Sequence, residues 1–518
     1  MNVQIHKHQI GLIALTAIGI GTMIGSGWLF SAYYAAQIAG PAAYLAWFVT
    51  AFIILILGLS LAEIAFHYPK RGLMARLLVI SHNEEFAFIC TIATWLGLTA
   101  VIATEAEGSI QYLSSLSPFI SHYLYNAAHQ HLTTIGLWLS IAMVMGFGVI
   151  NFWGIKLLSH SSTALTTAKI LIPVITAIFI IGASFHSVNF VEKHNGLMPY
   201  GFSSILTAMI GAGMIYSFNG FQNIVSFSSE AKKPKRDIPL AMVLSVLITL
   251  LVYVVLQTAF IGALPTHSLI DGWRHIDFTS PFVQITAMLN LNLISIILYA
   301  DAVISPSGTG LIYTGSTTRM LTGMAEDRHM PAFFKKLCAY NFSRRSLIAT
   351  ILLAILFLCF FRSWASLVSF LSLFYVISYM SIPLCLGKLR KHKIKGRFSL
   401  PLIQILLPLM FMFLSTLFIF AKAPFTLYAA GFIALAFGAY LLTQAVQKKL
   451  TCKMLLRACP LLVYLAFLAL VSWMGPTAYG GCNWLNPVSF FGLILAGAFV
   501  MYAFSVYVYP STPEKPKA

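Results

Sequence analysis

The sequence predicts an all-α polytopic membrane protein with about fourteen transmembrane helices, and three observations predict it. Hydrophobic residues make up 59% of the 518 and charged residues only 9%, against about 25% charged in a soluble domain, so a water-soluble globule is excluded. No charged side chain stands between Lys7 and Glu63, which leaves room for two helices of the roughly 20 residues needed to cross a bilayer. The third observation is a pair of interrupted spans. The first long apolar segment contains Gly19, Gly21, Gly25 and Gly27, and a later one reads Gly211-Ala-Gly213-Met-Ile-Tyr216-Ser217-Phe218-Asn219-Gly220-Phe221. Glycine costs about 1 kcal/mol relative to alanine inside a helix, so both segments are expected to open in mid-span.

Charge-free apolar runs define spans 1 to 14 near 10–36, 42–66, 86–113, 134–152, 163–186, 203–228, 239–264, 289–316, 346–361, 364–387, 400–420, 424–446, 457–475 and 487–509. The first run is too long for a cleavable signal and continues into a second span. With a cytoplasmic N-terminus, inner loops and termini hold 27 of the 32 Lys and Arg. Outer loops hold Lys193, Arg274, Arg362 and Lys422, and Lys169 lies within span 5. By the positive-inside rule both termini are expected in the cytoplasm, with the lipid bilayer as the principal partner. The net charge of +18 is thereby explained by topology, without nucleic acid, because no soluble domain carries a basic groove. The seven scattered cysteines have neither metal spacing nor a disulfide framework, and no metal or cofactor is expected.

Two loops have character of their own. Residues 317–345, with Met320, Leu321, Met324, Phe333, Phe334 and Leu337, are amphipathic enough for a short helix along the inner surface. The outer loop 265–288 carries Trp273 and Arg274 and is either a cover over the outer mouth or an interfacial loop anchored by its tryptophan.

A helix that opens in mid-membrane exposes N–H groups with partial positive charge at one side of the gap and carbonyls with partial negative charge at the other. Two facing gaps can hold a small zwitterion. Its carboxylate would lie on the N–H groups of Gly25, Ser26 and Gly27, and its ammonium on carbonyls near Met23 and from Tyr216 through Ser217 and Phe218 to Asn219, next to Gly220. That recognises an α-amino acid by its backbone, with no charged side chain. The alternative is that the glycines serve close helix packing.

Ionisable groups inside spans are costly and mark function by default. Glu105 and Glu107 in span 3 and Asp301 in span 8 are candidates to line a polar cavity, as are Ser307 and Thr309 in the proline- and glycine-containing stretch of span 8. That stretch reads equally as a plain kink with hydroxyls bonded to the preceding turn. Lys169 is either a group that gains and loses a proton during transport or a lysine snorkelling to the interface. Glu63 is expected to pair with loop arginines such as Arg71 or Arg76.

Gly25-Ser26-Gly27 after its glycine-rich run, Ser217-Phe218-Asn219-Gly220-Phe221, and the loop Ser229-Glu230-Ala231-Lys232-Lys233-Pro234-Lys235-Arg236-Asp237-Ile238-Pro239 resemble the amino acid–polyamine–organocation permeases over residues 10–400. Ala300-Asp301-Ala-Val-Ile-Ser305-Pro306-Ser307-Gly308 resembles the bacterial aspartate:proton symporter branch. The resemblance implies a LeuT-like core of two inverted five-helix repeats over residues 10–388, with discontinuous spans 1 and 6. Spans 11–14 at 400–509 lie outside that core, and residues 1–9 and 510–518 form cytoplasmic ends. It also implies that Lys169 takes the place of a sodium ion and couples transport to protons. One departure is Pro69-Lys-Arg-Gly72, which lacks the second glycine the family often has there.

The expected function is import of an amino acid, possibly acidic, by proton symport across the cell membrane, a bacterial inner membrane. The alternatives are an exchanger of the same fold and a transport-inactive nutrient sensor. An enzyme is not expected, since the histidines lie mainly in loops without ligand-like spacing.

Overall fold

The computed structural model describes residues 10–68, 73–153, 157–191, 196–228, 230–327, 329–338, 342–392 and 402–510, and of residues 73–76 and 157–165 the backbone alone. Each of the fourteen spans has its helix or helices. The uninterrupted ones are Ala43–His67, Glu84–Ser114, Thr134–Phe152, Leu157–Ala183, Pro234–Ala263, Asn292–Glu326, Arg344–Phe360, Trp364–Lys391, Ile403–Ile419, Ala423–Val446, Cys452–Met474 and Pro487–Ala503. Span 1 is split into Leu12–Met23 and Gly27–Ala39, and span 6 into Phe202–Gly211, Met214–Ser217 and Gln222–Ser226, with a 53° bend. The breaks fall at the glycine clusters, where helix propensity is lowest.

Spans 3 and 10 form the centre. In each, 94% of the most apolar stretch is buried, against 28% for spans 5 and 12, so the first pair is enclosed by protein and the second lies at the periphery. Leu171, Ile175, Ile178 and Phe179 of span 5 are exposed, as suits side chains that meet lipid. Span 3 packs against spans 8 and 10, and the first half of span 1 packs against span 7.

One expectation changes and one pair of alternatives is resolved. Residues 317–326 are no separate surface helix but the continuation of span 8, which runs 35 residues from Asn292 to Glu326 before a 3₁₀ turn at Ala332–Lys335. The reason is burial: Thr317, Leu321, Thr322 and Met324 face the protein, and Thr317, Thr318 and Thr322 bond back to the preceding turn. Trp273 is no interfacial anchor, being fully buried against Gly40 at the end of span 1. Its loop lies over that end, with the Ile276 carbonyl accepting from Gln37 at 3.0 Å. Glu63 pairs with Arg390 of span 10 at 2.5 Å. Arg71, the side chain of Arg76, residues 1–9 and 511–518, and the stretch Pro69 to Gly72 lie outside what is described.

Candidate functional site

The first break spans Ile24 to Ser26. Ile24 leaves helical geometry, with φ −90° and ψ 99°, and its N–H makes the last bond of the first half, to the Ile20 carbonyl at 3.0 Å. The second half begins at Gly27. Both poles of this gap are held by charged side chains. The Ser26 N–H donates to Glu105 Oε2 at 2.9 Å, and Tyr216 OH donates to Glu105 Oε1 at 2.6 Å. On the carbonyl side, Lys169 Nζ donates to the Gly21 carbonyl at 3.3 Å and to Thr309 Oγ1 at 2.7 Å. A carboxylate thus sits on the N–H end and an ammonium on the carbonyl end, the polarity that the peptide dipoles favour. Gly25 leaves room for this carboxylate, since a Cβ there would stand 2.5 Å from Glu105 Oε1.

The second break is served by neutral groups. Asn219 Nδ2 donates to Tyr313 OH at 2.9 Å and Tyr375 OH at 2.8 Å, while its Oδ1 accepts from Gln222 Nε2 at 2.8 Å and Tyr379 OH at 3.2 Å. Gln222 Oε1 in turn accepts from the Gly220 N–H at 3.1 Å. Gly220 has φ +118°, and a Cβ on it would stand 2.8 Å from the Thr22 carbonyl carbon. Thr22 Oγ1 donates to the Gly220 carbonyl at 3.2 Å, which ties the two breaks together.

Ser217 bonds Ser31 at 3.0 Å, and Phe218 turns away from both gaps to pack on Trp47 and Tyr253. Met23 closes the first half-helix and is buried. Asp301 is eight residues before Thr309 on span 8, about 12 Å along a helix; it faces the Trp28 indole, and its charge and that of Lys169 act on each other. Ser307 is half-buried on the same span. Glu107 faces away from the break, toward the start of span 10.

Trp364, the first residue of span 10, closes one side of the site. Its Nε1 donates to Ser26 Oγ at 3.1 Å, and its ring stacks on Phe30 (4.8 Å between centroids) and Tyr34 (5.6 Å). Toward the other side lie Tyr313, Tyr375 and Tyr379. Ser26, Glu105, Lys169, Tyr216 and Asn219 are all at most 5% exposed, so the gap is shut off from both ends. A pocket of about 540 Å³ lies apart from it, between spans 2 and 7 at the face bearing the basic loops, lined by Ala62, Ala65, Phe66, Ser228, Lys233 and Ile238. Trp364, Tyr313, Tyr375, Tyr379 and Gln222 were not singled out in the sequence. For Tyr375 and Tyr379 the signal is tyrosine at i and i+4 inside an apolar span, where each hydroxyl needs a partner.

The model of the amino acid permease family matches residues 10–443. The glutamate/serine transporter AimA of Bacillus subtilis is 37% identical over 393 residues, covering 75% of this chain and 72% of its own. The aspartate-proton symporter of the same organism is 30% identical over 388 residues, covering 74% and 73%. In structure, the manganese transporter of Eremococcus coleocola superposes with a TM-score of 0.55 at 14% identity, covering 89% of this chain and 96% of its own. At that identity the likeness speaks for the fold alone. This multi-pass membrane protein, built on split spans 1 and 6, belongs to the amino acid permease family and is a transporter rather than an enzyme.

Proposed function

We propose that the chain imports an amino acid together with a proton, and that the first helix break is where the two meet. The observation that carries this reading is the pair of resident charges, Glu105 on the Ser26 N–H and Lys169 on the Gly21 carbonyl. They occupy the two poles that a zwitterion's own carboxylate and ammonium would seek. An arriving amino acid places its carboxylate on the N–H groups of Gly25, Ser26 and Gly27 and displaces Glu105. Its ammonium goes to carbonyls at Met23 and along Tyr216 to Asn219 beside Gly220, with Ser217 and Phe218 contributing backbone only. Charged Lys169 ties span 1 to span 8 through Gly21 and Thr309. Giving up its proton removes the charge-assisted part of that tie and frees the first half of span 1 to swing, which links proton release to opening of the basic face.

The basic face is assigned to the cytoplasm of a cell membrane by the positive-inside rule, with residues 10–388 as transport core and 400–509 as a flanking four-helix unit. The substrates for which the two Bacillus subtilis relatives are named favour glutamate, aspartate or serine as the cargo. The test is uptake of labelled amino acids into proteoliposomes with and without an inside-alkaline pH gradient. Gradient-driven accumulation of one of these three supports the reading. Counterflow without response to the gradient makes the chain an exchanger, and binding without flux makes it a sensor.

A further inference from the structure

Glu107 lies two residues beyond Glu105 on span 3, and two residues turn a helical side chain by about 200°, so it serves a different place. It faces the backbone N–H of Trp364 at the start of span 10, the Tyr34 phenol of span 1, and the Tyr125 phenol from the small hairpin Tyr125–Asn126/His131–Leu132. This hairpin is fastened to the link before span 10, where the Leu132 N–H donates to the Arg362 carbonyl at 2.8 Å. Gln111, one turn along the same helix, sends Nε2 to the Thr279 carbonyl at 3.1 Å. Glu107 and Gln111 are fully buried. Yet among the described residues neither carboxyl oxygen of Glu107 nor the Oε1 of Gln111 accepts a hydrogen bond of ordinary length and angle, the Trp364 N–H and the two phenols being the donors nearest the carboxylate.

Three buried acceptors on one helix turn without a well-formed bond are costly, since a buried polar atom left unpaired costs about 1–3 kcal/mol. Among the described residues no lysine or arginine pairs with Glu107, and the further charge beside Tyr125 is Asp277, which is negative as well. The surroundings are tight: a Cβ on neighbouring Gly108 would stand 3.0 Å from Trp364 and 3.2 Å from Phe30. A proton needs no room. Placed on one Glu107 oxygen it creates a donor, and residues four apart on a helix are neighbours, so Gln111 Oε1 is its natural acceptor.

We propose that Glu107 is a proton-operated latch on the face opposite the basic loops. When that face closes, the carboxylate takes a proton from the solution on that side and, as the acid, donates it to Gln111 Oε1. When the face opens, the proton returns to the same solution and the carboxylate is hydrated. Because the proton is taken up and returned on one side, the latch adds nothing to net coupling and makes the far face sense the pH it meets. The inference rests on reading the chain as a carrier with alternating access, and is independent of cargo and of Lys169.

The test is hydrogen exchange by mass spectrometry on the purified full-length protein in nanodiscs without amino acid, from pH 5 to pH 8, with rates corrected for intrinsic exchange. With one proton released on opening, the opening equilibrium of residues 125–132 and 362–366 should rise with pH, by up to about tenfold per unit. Glu107→Gln, whose amide supplies the missing donor, should stay closed and flat across the range, and Gln111→Met should begin to open at lower pH. Lys169→Ala should keep the wild-type slope with pH even where its overall level shifts, so a failure of the coupling scheme would not be mistaken for a failure of the latch. A flat wild-type profile, or Glu107→Gln retaining the wild-type slope, overturns the proposal.

Discussion

The two helix breaks face each other and serve the same backbone need by different chemistry. At span 1 the exposed peptide ends are met by a carboxylate and an ammonium, Glu105 and Lys169. At span 6 they are met by Gln222 on the Gly220 N–H and Thr22 on the Gly220 carbonyl, with Gln222 held in turn by Asn219, whose amide is bonded by the phenols of Tyr313, Tyr375 and Tyr379. A charged cap can be exchanged for a charged ligand or switched by a proton. A neutral network centred on an Asn219 amide with all four bonds made has no such switch and acts as a fixed abutment. On the proposed function, transport chemistry belongs to the first break and the second holds the geometry against which the first moves.

The largest effect separating the two breaks is expected from their glycines. Gly220→Ala puts a Cβ against the Thr22 backbone at a φ of +118°. Backbone has nowhere to retreat, and left-handed strain adds about 1–3 kcal/mol, so the variant should lose folded yield by size-exclusion chromatography. Gly25→Ala meets only the end of a flexible glutamate. It should fold normally while uptake falls by about tenfold to a hundredfold, the loss of one hydrogen bond to a charged group. Equal loss of folding in both variants would break the distinction.

Next in size is Glu105→Gln. If Glu105 competes with the substrate carboxylate for the Ser26 N–H, the weaker amide acceptor should raise equilibrium affinity for the amino acid, by about tenfold for about 1.4 kcal/mol. Weaker binding would make Glu105 part of the receptor instead. Asn219→Ala should cost about 1–3 kcal/mol of stability by orphaning its phenol partners. Its slower uptake should still respond to a pH gradient, as read from melting and transport on the same preparation.

Much of this was legible beforehand, and the rest was illegible for physical reasons. Span positions follow from charge-free length, and the two breaks follow from glycine, because both are local properties. The interest of Glu105 and Lys169 followed from the cost of charge in a bilayer. Their placement on opposite poles of one gap did not, because it depends on how spans 3 and 5 are rotated about their axes. Glu105 and Glu107 looked equivalent in sequence, and only the 200° between them separates a cap on span 1 from a latch at span 10. The course of span 8 through 317–326 was misjudged because threonines bonded back into their own helix look polar in a sequence while being buried in the fold.

The smallest expected effect lies away from both breaks and serves as their control. His82, in the link before span 3, bonds Ser505 Oγ at 2.8 Å. Burial first, then the nearby Lys388 charge, holds it down to about 3. A depressed histidine contributes stability that is complete above its unfolded value of about 6.5 and is lost as pH falls from there toward 3, by at most about 1.4 kcal/mol per unit. His82→Gln should therefore lessen the drop in melting temperature between pH 7 and pH 5 without altering the gradient response of transport.

The most direct measurement is the ratio of amino acid accumulation with and without an inside-alkaline pH gradient, in proteoliposomes of the wild type, Lys169→Ala and Asn219→Ala. The account predicts a ratio well above one for the wild type, the same ratio at lower rate for Asn219→Ala, and a ratio of one for Lys169→Ala with counterflow preserved. A ratio that survives in Lys169→Ala, or that vanishes equally in Asn219→Ala, would contradict the assignment of coupling to the charged break.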